Sequence, residues 1–283
     1  MLDSSQVKSR EIASFDARHY WESRLQKDYS LSGVGYIGLG PAYNQWIYRV
    51  RRLVFKKCVH NLRLDLMRAK VLDIGSGTGF YVDLWRELGV RTLTASDITH
   101  TATERLRGRC PNVEVCEWDV GGGLGALEGR RFDIVSAMDV LYHVVDDARF
   151  ARALRNIGTL LKPGGYFIYS DNFVHHATIR LEHQASRQLS MIENLLFDAL
   201  LHPVRRAPMF VLMNAPVDSR SRLARRVWHK GVKIISQHNT LGYVAGASLF
   251  PLEMLCTSLL KESPSTEIMI CRRTDEEREG RHE

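Results

Sequence analysis

Nowhere in the chain does an apolar run approach the roughly 18 residues of a membrane-crossing helix, which argues against a transmembrane segment. The opening stretch MLDSSQVKSREIASFDARHYW has no apolar core and carries acids, so it does not read as an export or transit peptide. Cysteine is sparse: Cys58, Cys110, Cys116, Cys256 and Cys271 are odd in number, scattered, and never form a CxxC pair. That spacing argues against a disulfide framework and a zinc site and fits a reducing cytoplasm. Cys and His do not fall at metal-ligand spacing, so no metal is expected in the chemistry. Internal repeats and low-complexity blocks are also missing.

What is present is 283 residues with 45% hydrophobic content, enough for one large domain or a domain plus a cap. The net charge of +7 is unevenly spread. Between Leu201 and Thr240, Arg205, Arg206, Arg220, Arg222, Arg225, Arg226, Lys230 and Lys233 face a single acid, Asp218. Such an excess suits an anionic substrate, a membrane surface or nucleic acid, and a plainly solvated face explains it equally well. In a second basic stretch, residues 47–70, Ile47, Val50, Val54, Phe55, Val59 and Leu62 recur near helical spacing, which puts the charges on an outer face.

From Lys70 onward strand-like and helix-like segments alternate. VLDIG (71–75), RTLTASDI (91–98), NVEVCEWDV (112–120), RFDIVSAMDVLYHV (131–144) and GYFIYSDN (165–172) read as five strands. Helices are expected between them, over 79–89, over TATERLRGRC, and from Asp146 to a stop at Pro163 and Gly164. The pattern implies a doubly wound, mostly parallel sheet with right-handed crossovers. Afterwards 173–207 looks mainly helical, PMFVLMN (208–214) is a candidate sixth strand, 219–260 is irregular to helical, and STEIMICRR (265–273) is a final strand. The expected organisation is a helical and loop cap over 1–69, an α/β core over 70–172, a substrate-side insertion with the last strands of the same domain over 173–274, and a charged tail over 275–283 that frays. The aromatic-rich cap packs against the domain or serves as a lid, because ligands of such sheets bind beyond the carboxyl ends of the strands.

In KVLDIGSGTGF (70–80) three glycines, Gly75, Gly77 and Gly79, alternate with small hydroxyl residues. A dinucleotide fingerprint wants a glycine where Phe80 stands. The loop therefore resembles a nucleotide cradle without being the dehydrogenase version, and a nicotinamide enzyme is the disfavoured alternative. Backbone N–H groups of such a loop, with the helix N-terminus behind it, face a polar or anionic part of a ligand. Asp97, 22 residues after Gly75, closes the second strand, where an acid accepts ribose hydroxyls. Asp119 closes the third.

Together VLDIGSGTGF, SDI, EWDV, FDIVSAMDVLYHV and LLKPGGYFIYS resemble the class I S-adenosylmethionine-dependent methyltransferases, in that family's order and over about residues 70–172. The resemblance implies a Rossmann-like, seven-stranded fold with a helical lid and an insertion after the fifth strand. It implies S-adenosylmethionine as cofactor, with S-adenosylhomocysteine as product. Asp73 and the loop Gly75, Ser76, Gly77 and Gly79 would hold its amino-acid end, Asp97 the ribose, Ile98 the adenine face, Asp119 with Val120 the adenine edge, and Met138 with Asp139 the methionine portion. Asp73 also reads as a brace for the glycine loop.

Methyl transfer from a sulfonium asks the protein to align an acceptor and exclude water, and a hydroxyl acceptor gains from a base. Three histidines lie beyond strand ends: His143 in VLYHVVDD, read more as a brace than a base, and His175 and His176 in SDNFVHH, one of which is expected to point inward. The arginines of 205–226 suggest a small-molecule acceptor with phosphate or carboxylate, such as an acidic metabolite or sugar. An RNA or protein methyltransferase using the basic segments, and a non-catalytic binding module, are the alternatives. No appended RNA-binding motif supports nucleic acid.

Overall fold

The computed structural model describes residues 15–275; the first fourteen residues of the cap and the charged tail beyond Asp275 lie outside the described residues. The described residues begin with helices α1 (Ala17–Lys27), α2 (Leu31–Val34) and α3 (Gly40–His60). There follow β1 (Lys70–Ile74), α4 (Phe80–Glu87), β2 (Thr92–Asp97), α5 (His100–Arg109), β3 (Glu114–Glu117), β4 (Phe132–Met138), α6 (Asp147–Leu160) and β5 (Leu161–Asp171). The last part comprises a hairpin β6 (Ile179–Leu181) and β7 (Gln184–Ser186), then α7 (Leu189–Asp198), β8 (Leu201–Pro208), α8 (Arg222–Ile235), α9 (Asn239–Leu259) and β9 (Glu267–Arg273).

Seven strands form one sheet in the order β3-β2-β1-β4-β5-β9-β8. The first five are parallel, with Leu72 opposite both Thr94 and Val135, and β9 runs antiparallel between β5 and β8. Alternate side chains leave opposite faces of each strand. Val71, Ile134, Ile168 and Ile270 join the layer under α3, α4 and α5, whereas Leu72, Val135, Phe167 and Met269 join the layer under α6 and α7. Burial on both faces explains why these strands read as near-continuous apolar runs. On α3 the apolar side of residues 47–59 is buried as its spacing required, with Arg51 the one cation turned inward with it.

Three expectations are corrected. The fourth strand stops at Met138, because Asp139 takes a left-handed φ of 61° and Leu141–His143 form a short 3-10 turn. Ser170 Oγ holds that corner, accepting from the Asp139 N–H at 2.8 Å and donating to Oδ1 at 3.0 Å. The sixth strand is Leu201–Pro208, not 208–214. As the sheet's edge it tolerates Pro203, which cannot donate to a ladder. Residues 211–213 give their N–H groups to the carboxylate of Glu253, at 2.6 to 3.1 Å, and so make no strand. The segment 173–207, expected to be mainly helical, holds the hairpin, α7 and most of that edge strand.

Candidate cofactor and acceptor site

The glycine loop is possible only with glycine at its odd positions. Gly75, Gly77 and Gly79 have φ of 67°, 51° and 83°, which L side chains rarely adopt. A Cβ at Gly75 would lie 2.3 Å from Val140 Cγ2. Beneath the loop, Asp73 is 1% exposed and accepts from Ser76 Oγ at 2.9 Å and Ser136 Oγ at 2.7 Å. Ser136 in turn accepts from the indole N–H of Trp85 at 2.9 Å. Burial pushes the Asp73 carboxyl up to about 6 against those two hydrogen bonds. Asp73 is thus a brace under the cradle and does not line the cavity, nor does Gly79, which opens α4 behind it.

Asp97 ends β2 facing the same loop. Oδ2 accepts from the Gly77 N–H at 2.9 Å, and Oδ1 from the N–H and hydroxyl of Thr99 at 2.9 and 2.7 Å. Burial raises its carboxyl despite these donors. Oδ2 keeps lone-pair capacity, since a carboxylate accepts about four hydrogen bonds, two on each oxygen, and Oδ1 already accepts two. Asp119 accepts from Arg149 at 2.5 Å and from the Gly121 N–H at 3.0 Å.

These groups share a cavity of about 1070 Å³, above the usual volume for one small ligand. Gly75, Ser76, Gly77, Asp97, Ile98, Asp119, Val120, Met138 and Asp139 all line it, so nine of the eleven cofactor positions expected from sequence meet at this cavity. Its roof comes from α1, with Trp21 and Leu25, and from hairpin residues Arg180, Leu181, Glu182 and Ala185. Glu22 anchors α1 by accepting from the His100 N–H at 2.8 Å and the Thr101 N–H at 3.2 Å, at the first turn of α5. Tyr29 donates to the Gly77 carbonyl at 3.1 Å, joining the cap to the cradle.

His143 stands on the wall between floor and roof. Its Nδ1–H donates to the carbonyl of His183 at 2.7 Å, and Trp21 meets the ring edge-on at 4.8 Å. That hydrogen bond fixes the tautomer with the lone pair on Nε2, which no hydrogen bond occupies among the described residues. Burial holds the ring down at about 4, so it is neutral at ordinary pH. His175 and His176 correct the expectation that one points inward: both are exposed and neither lines the cavity. His175 Nδ1 pairs with Asp218 at 2.7 Å, and His176 Nε2 accepts from Arg220 at 2.6 Å. The arginines of 205–226 also lie away from the cavity. The four that line it, Arg18, Arg51, Arg149 and Arg180, pair with Glu117, Asp139, Asp119 and Asp147 respectively.

A family model described as a methyltransferase domain matches residues 46–237, more than half of the chain. The chain belongs to the S-adenosylmethionine-dependent methyltransferase family. Among curated proteins, this methyltransferase is 35% identical over 106 residues to a ubiquinone biosynthesis O-methyltransferase of Albidiferax ferrireducens, covering 36% of this chain and 40% of that one. It is 31% identical over 170 residues to the protein of the same name from Azotobacter vinelandii, covering 59% and 64%. The matches span less than two thirds of these relatives' length. A crystal structure of magnesium protoporphyrin IX methyltransferase from Synechocystis with bound S-adenosylmethionine superposes with a TM-score of 0.55 at 13% identity, covering 93% of this chain and 99% of that one, which shows the fold.

The methyltransferase's own residues fit the cofactor. A Cβ at Gly75 would run into Val140 on the same cavity wall, so the loop can present only bare backbone there. An acid at Asp97 would suit free ribose hydroxyls better than a 2′-phosphate, and Ile98 and Val120 line the cavity with apolar side chains. Sequence reasoning missed Trp118, Arg51 and the hairpin. Trp118 lines the cavity with its indole N–H donated to the Gly123 carbonyl at 2.8 Å, and its place directly before Asp119 was the available signal. Arg51 looked like one more cation of a basic helix, and only the register of α3 turns it inward.

Proposed function

We propose that this methyltransferase is a cytoplasmic enzyme that methylates a hydroxyl on a small acceptor with a largely apolar, aromatic body. The bound cofactor supplies a methyl group already activated on a sulfonium, with a neutral thioether as leaving group. The chain's part is to bind, align, exclude water and take the proton. His143 carries the reading: on the cavity wall, neutral, with Nδ1–H engaged by a backbone carbonyl and Nε2 free to accept the hydroxyl proton as the oxygen is methylated. The Asp97 carboxylate and the bare backbone of the loop from Gly75 to Gly77 hold the cofactor.

The acceptor's apolar character rests on its surroundings. Trp21, Leu25, Tyr48, Val144 and Leu181 line the roof side. The cavity arginines all have carboxylate partners, so a phosphate or carboxylate would have to displace an acid to gain a cation. The names of the O-methyltransferase relatives agree with oxygen as the target.

The test is labelled-methyl transfer from S-adenosylmethionine to a panel of phenols and catechols, alongside amines, sugar phosphates and acidic metabolites. Label on a phenolic oxygen is expected. Label only on amines or on phosphorylated acceptors would sink the acceptor assignment while leaving the cofactor site intact.

A further inference from the structure

Helix α8 is unlike every other helix of the fold, because none of its residues is buried. At 100° per residue its sequence RLARRVWHKGVKII divides into three arcs. Trp228, Val232 and Ile235 pack partly against the core. Arg222, Arg226, Lys230 and Lys233 occupy the opposite arc, Arg225 flanks the packed side, and there is no acid anywhere on the helix. Between the two, Leu223, Val227 and Ile234 form an apolar ledge exposed by 71%, 61% and 56%. Among the described residues, Arg222, Arg226, Lys230 and Lys233 have no carboxylate within ion-pair distance.

Helix α9 follows after residues 236–238. Its sole charged residue, Glu253, is buried and caps the 211–213 loop. On the side away from its packed face, Leu241, Val244, Leu252, Leu255 and Leu259 are exposed along the full length of the helix. So large an exposed apolar stripe marks an interaction surface.

We propose that α8 and α9 form a docking surface for an anionic phospholipid bilayer. The helices would lie in the headgroup plane, with α8 cations on lipid phosphates and the α8 ledge and α9 leucines in the acyl boundary. Charge selects this occupant. A cationic arc beside an exposed apolar ledge is the pattern of helices that lie on membranes. Nucleic acid would use the cations and leave the leucines in water. A second copy would cover the leucines but bring two cationic arcs together. No helix among the described residues is long and apolar enough to cross the bilayer, so the contact is peripheral. Surface docking would put the roofed cavity near acceptors that partition into lipid, a consequence that rests on the apolar-acceptor reading; the docking itself does not.

The full chain should co-sediment with vesicles containing phosphatidylglycerol and release as salt rises, because the Debye length shrinks. Vesicles of phosphatidylcholine alone should retain at least about tenfold less. Replacing Lys230→Glu and Lys233→Glu together should weaken binding to the anionic vesicles by about tenfold or more. Leu255→Gln with Leu259→Gln should weaken it comparably. All four side chains are exposed, so S-adenosylmethionine affinity should be unchanged and confirms folding. No binding to anionic vesicles overturns the proposal, as does binding indifferent to lipid charge. A stable dimer dispersed by the leucine changes, or RNA competing fully with the vesicles, overturns it as well.

Discussion

Floor and roof of the cavity are built from different bonds. Below, the carboxylates of Asp73 and Asp97 are buried and engage hydroxyls and amides of the strand-end loops themselves. Above, α1 and the hairpin are held by groups far apart in sequence: Glu22 on the first turn of α5, Arg18 on Glu117, and Arg180 on Asp147 at 2.5 Å. Buried, hydrogen-bonded polar groups fix one geometry, whereas partly exposed pairs contribute little and are readily broken. The floor is therefore a preformed nucleotide seat and the roof a part able to open, which an enzyme that admits and releases an acceptor needs. His143 sits at their seam, its Nδ1–H held by the hairpin carbonyl of His183.

The seam should show the largest effect. His143→Gln keeps an amide that can donate to the His183 carbonyl but lacks a base. Turnover should fall by about 100-fold or more, the usual reach of a positioned base, with S-adenosylmethionine affinity unchanged in calorimetry. The pH dependence of stability supplies a second readout. With the folded group near 4 and an unfolded value of about 6.5, the unfolded chain binds more protons between those limits. This histidine therefore costs stability as pH falls from about 6.5 towards 4. The glutamine variant should lose less stability over that window in chemical denaturation; Asp73, raised to about 6 and acting in the opposite sense, is common to both proteins and cancels in the difference. Unchanged turnover would remove His143 from the chemistry.

Next comes the floor. Asp97→Ala removes the acceptor of the Gly77 and Thr99 amides as well as the expected ribose contact. Hydrogen bonds to charged groups are worth about 1.5–3 kcal/mol, so affinity for S-adenosylmethionine should drop by about ten- to a hundredfold. Calorimetry showing equal affinity would overturn the ribose assignment.

What the sequence made legible follows the same division. The floor is local: strand, glycine turn and acid are consecutive or one crossover apart, and each leaves a composition signal such as Gly75 or Asp97. The alternation of buried strands and helices was readable for the same reason. The roof depends on contacts across long separations, and no local pattern announces that Glu22 will meet Thr101, or that Arg18 will meet Glu117. Arg51 shows the limit well. Helical periodicity placed most charges of α3 outside, but it could not show that Asp139 would turn left-handed at the end of β4 and meet that one arginine. The edge strand was displaced by about seven residues for a related reason, because Glu253, about forty residues downstream, takes the amides that 211–213 would have used in a ladder.

A smaller effect is expected from loosening the roof. Glu22→Ala frees the first turn of α5 and releases α1 from it while leaving the seat beneath untouched. The Michaelis constant for the acceptor should rise a few-fold. S-adenosylmethionine affinity should shift by less than the Asp97 variant shows. If the cofactor were lost as completely as with Asp97→Ala, the cap would be part of the seat and the division between floor and roof would fail.

The smallest effect belongs to the pair outside both. His175 and His176 follow β5 at the height where an acceptor-side base was expected, yet the chain turns there so that their rings face solvent. One lies against Asp218 and Glu262, the other against the Arg220 guanidinium. The Arg220 guanidinium donates to His176 at 2.6 Å but supplies no route from the cavity, which neither ring lines. His176→Ala should change turnover by less than twofold and stability by no more than about 0.5 kcal/mol, the range of ordinary surface substitutions. His175→Ala gives up a partly exposed hydrogen bond to Asp218, and its cost should be about 1 kcal/mol. A hundredfold loss of turnover in either variant, with cofactor affinity intact, would mean that 175–176 swings inward when substrate binds, and the base would then have to be sought there instead of at His143.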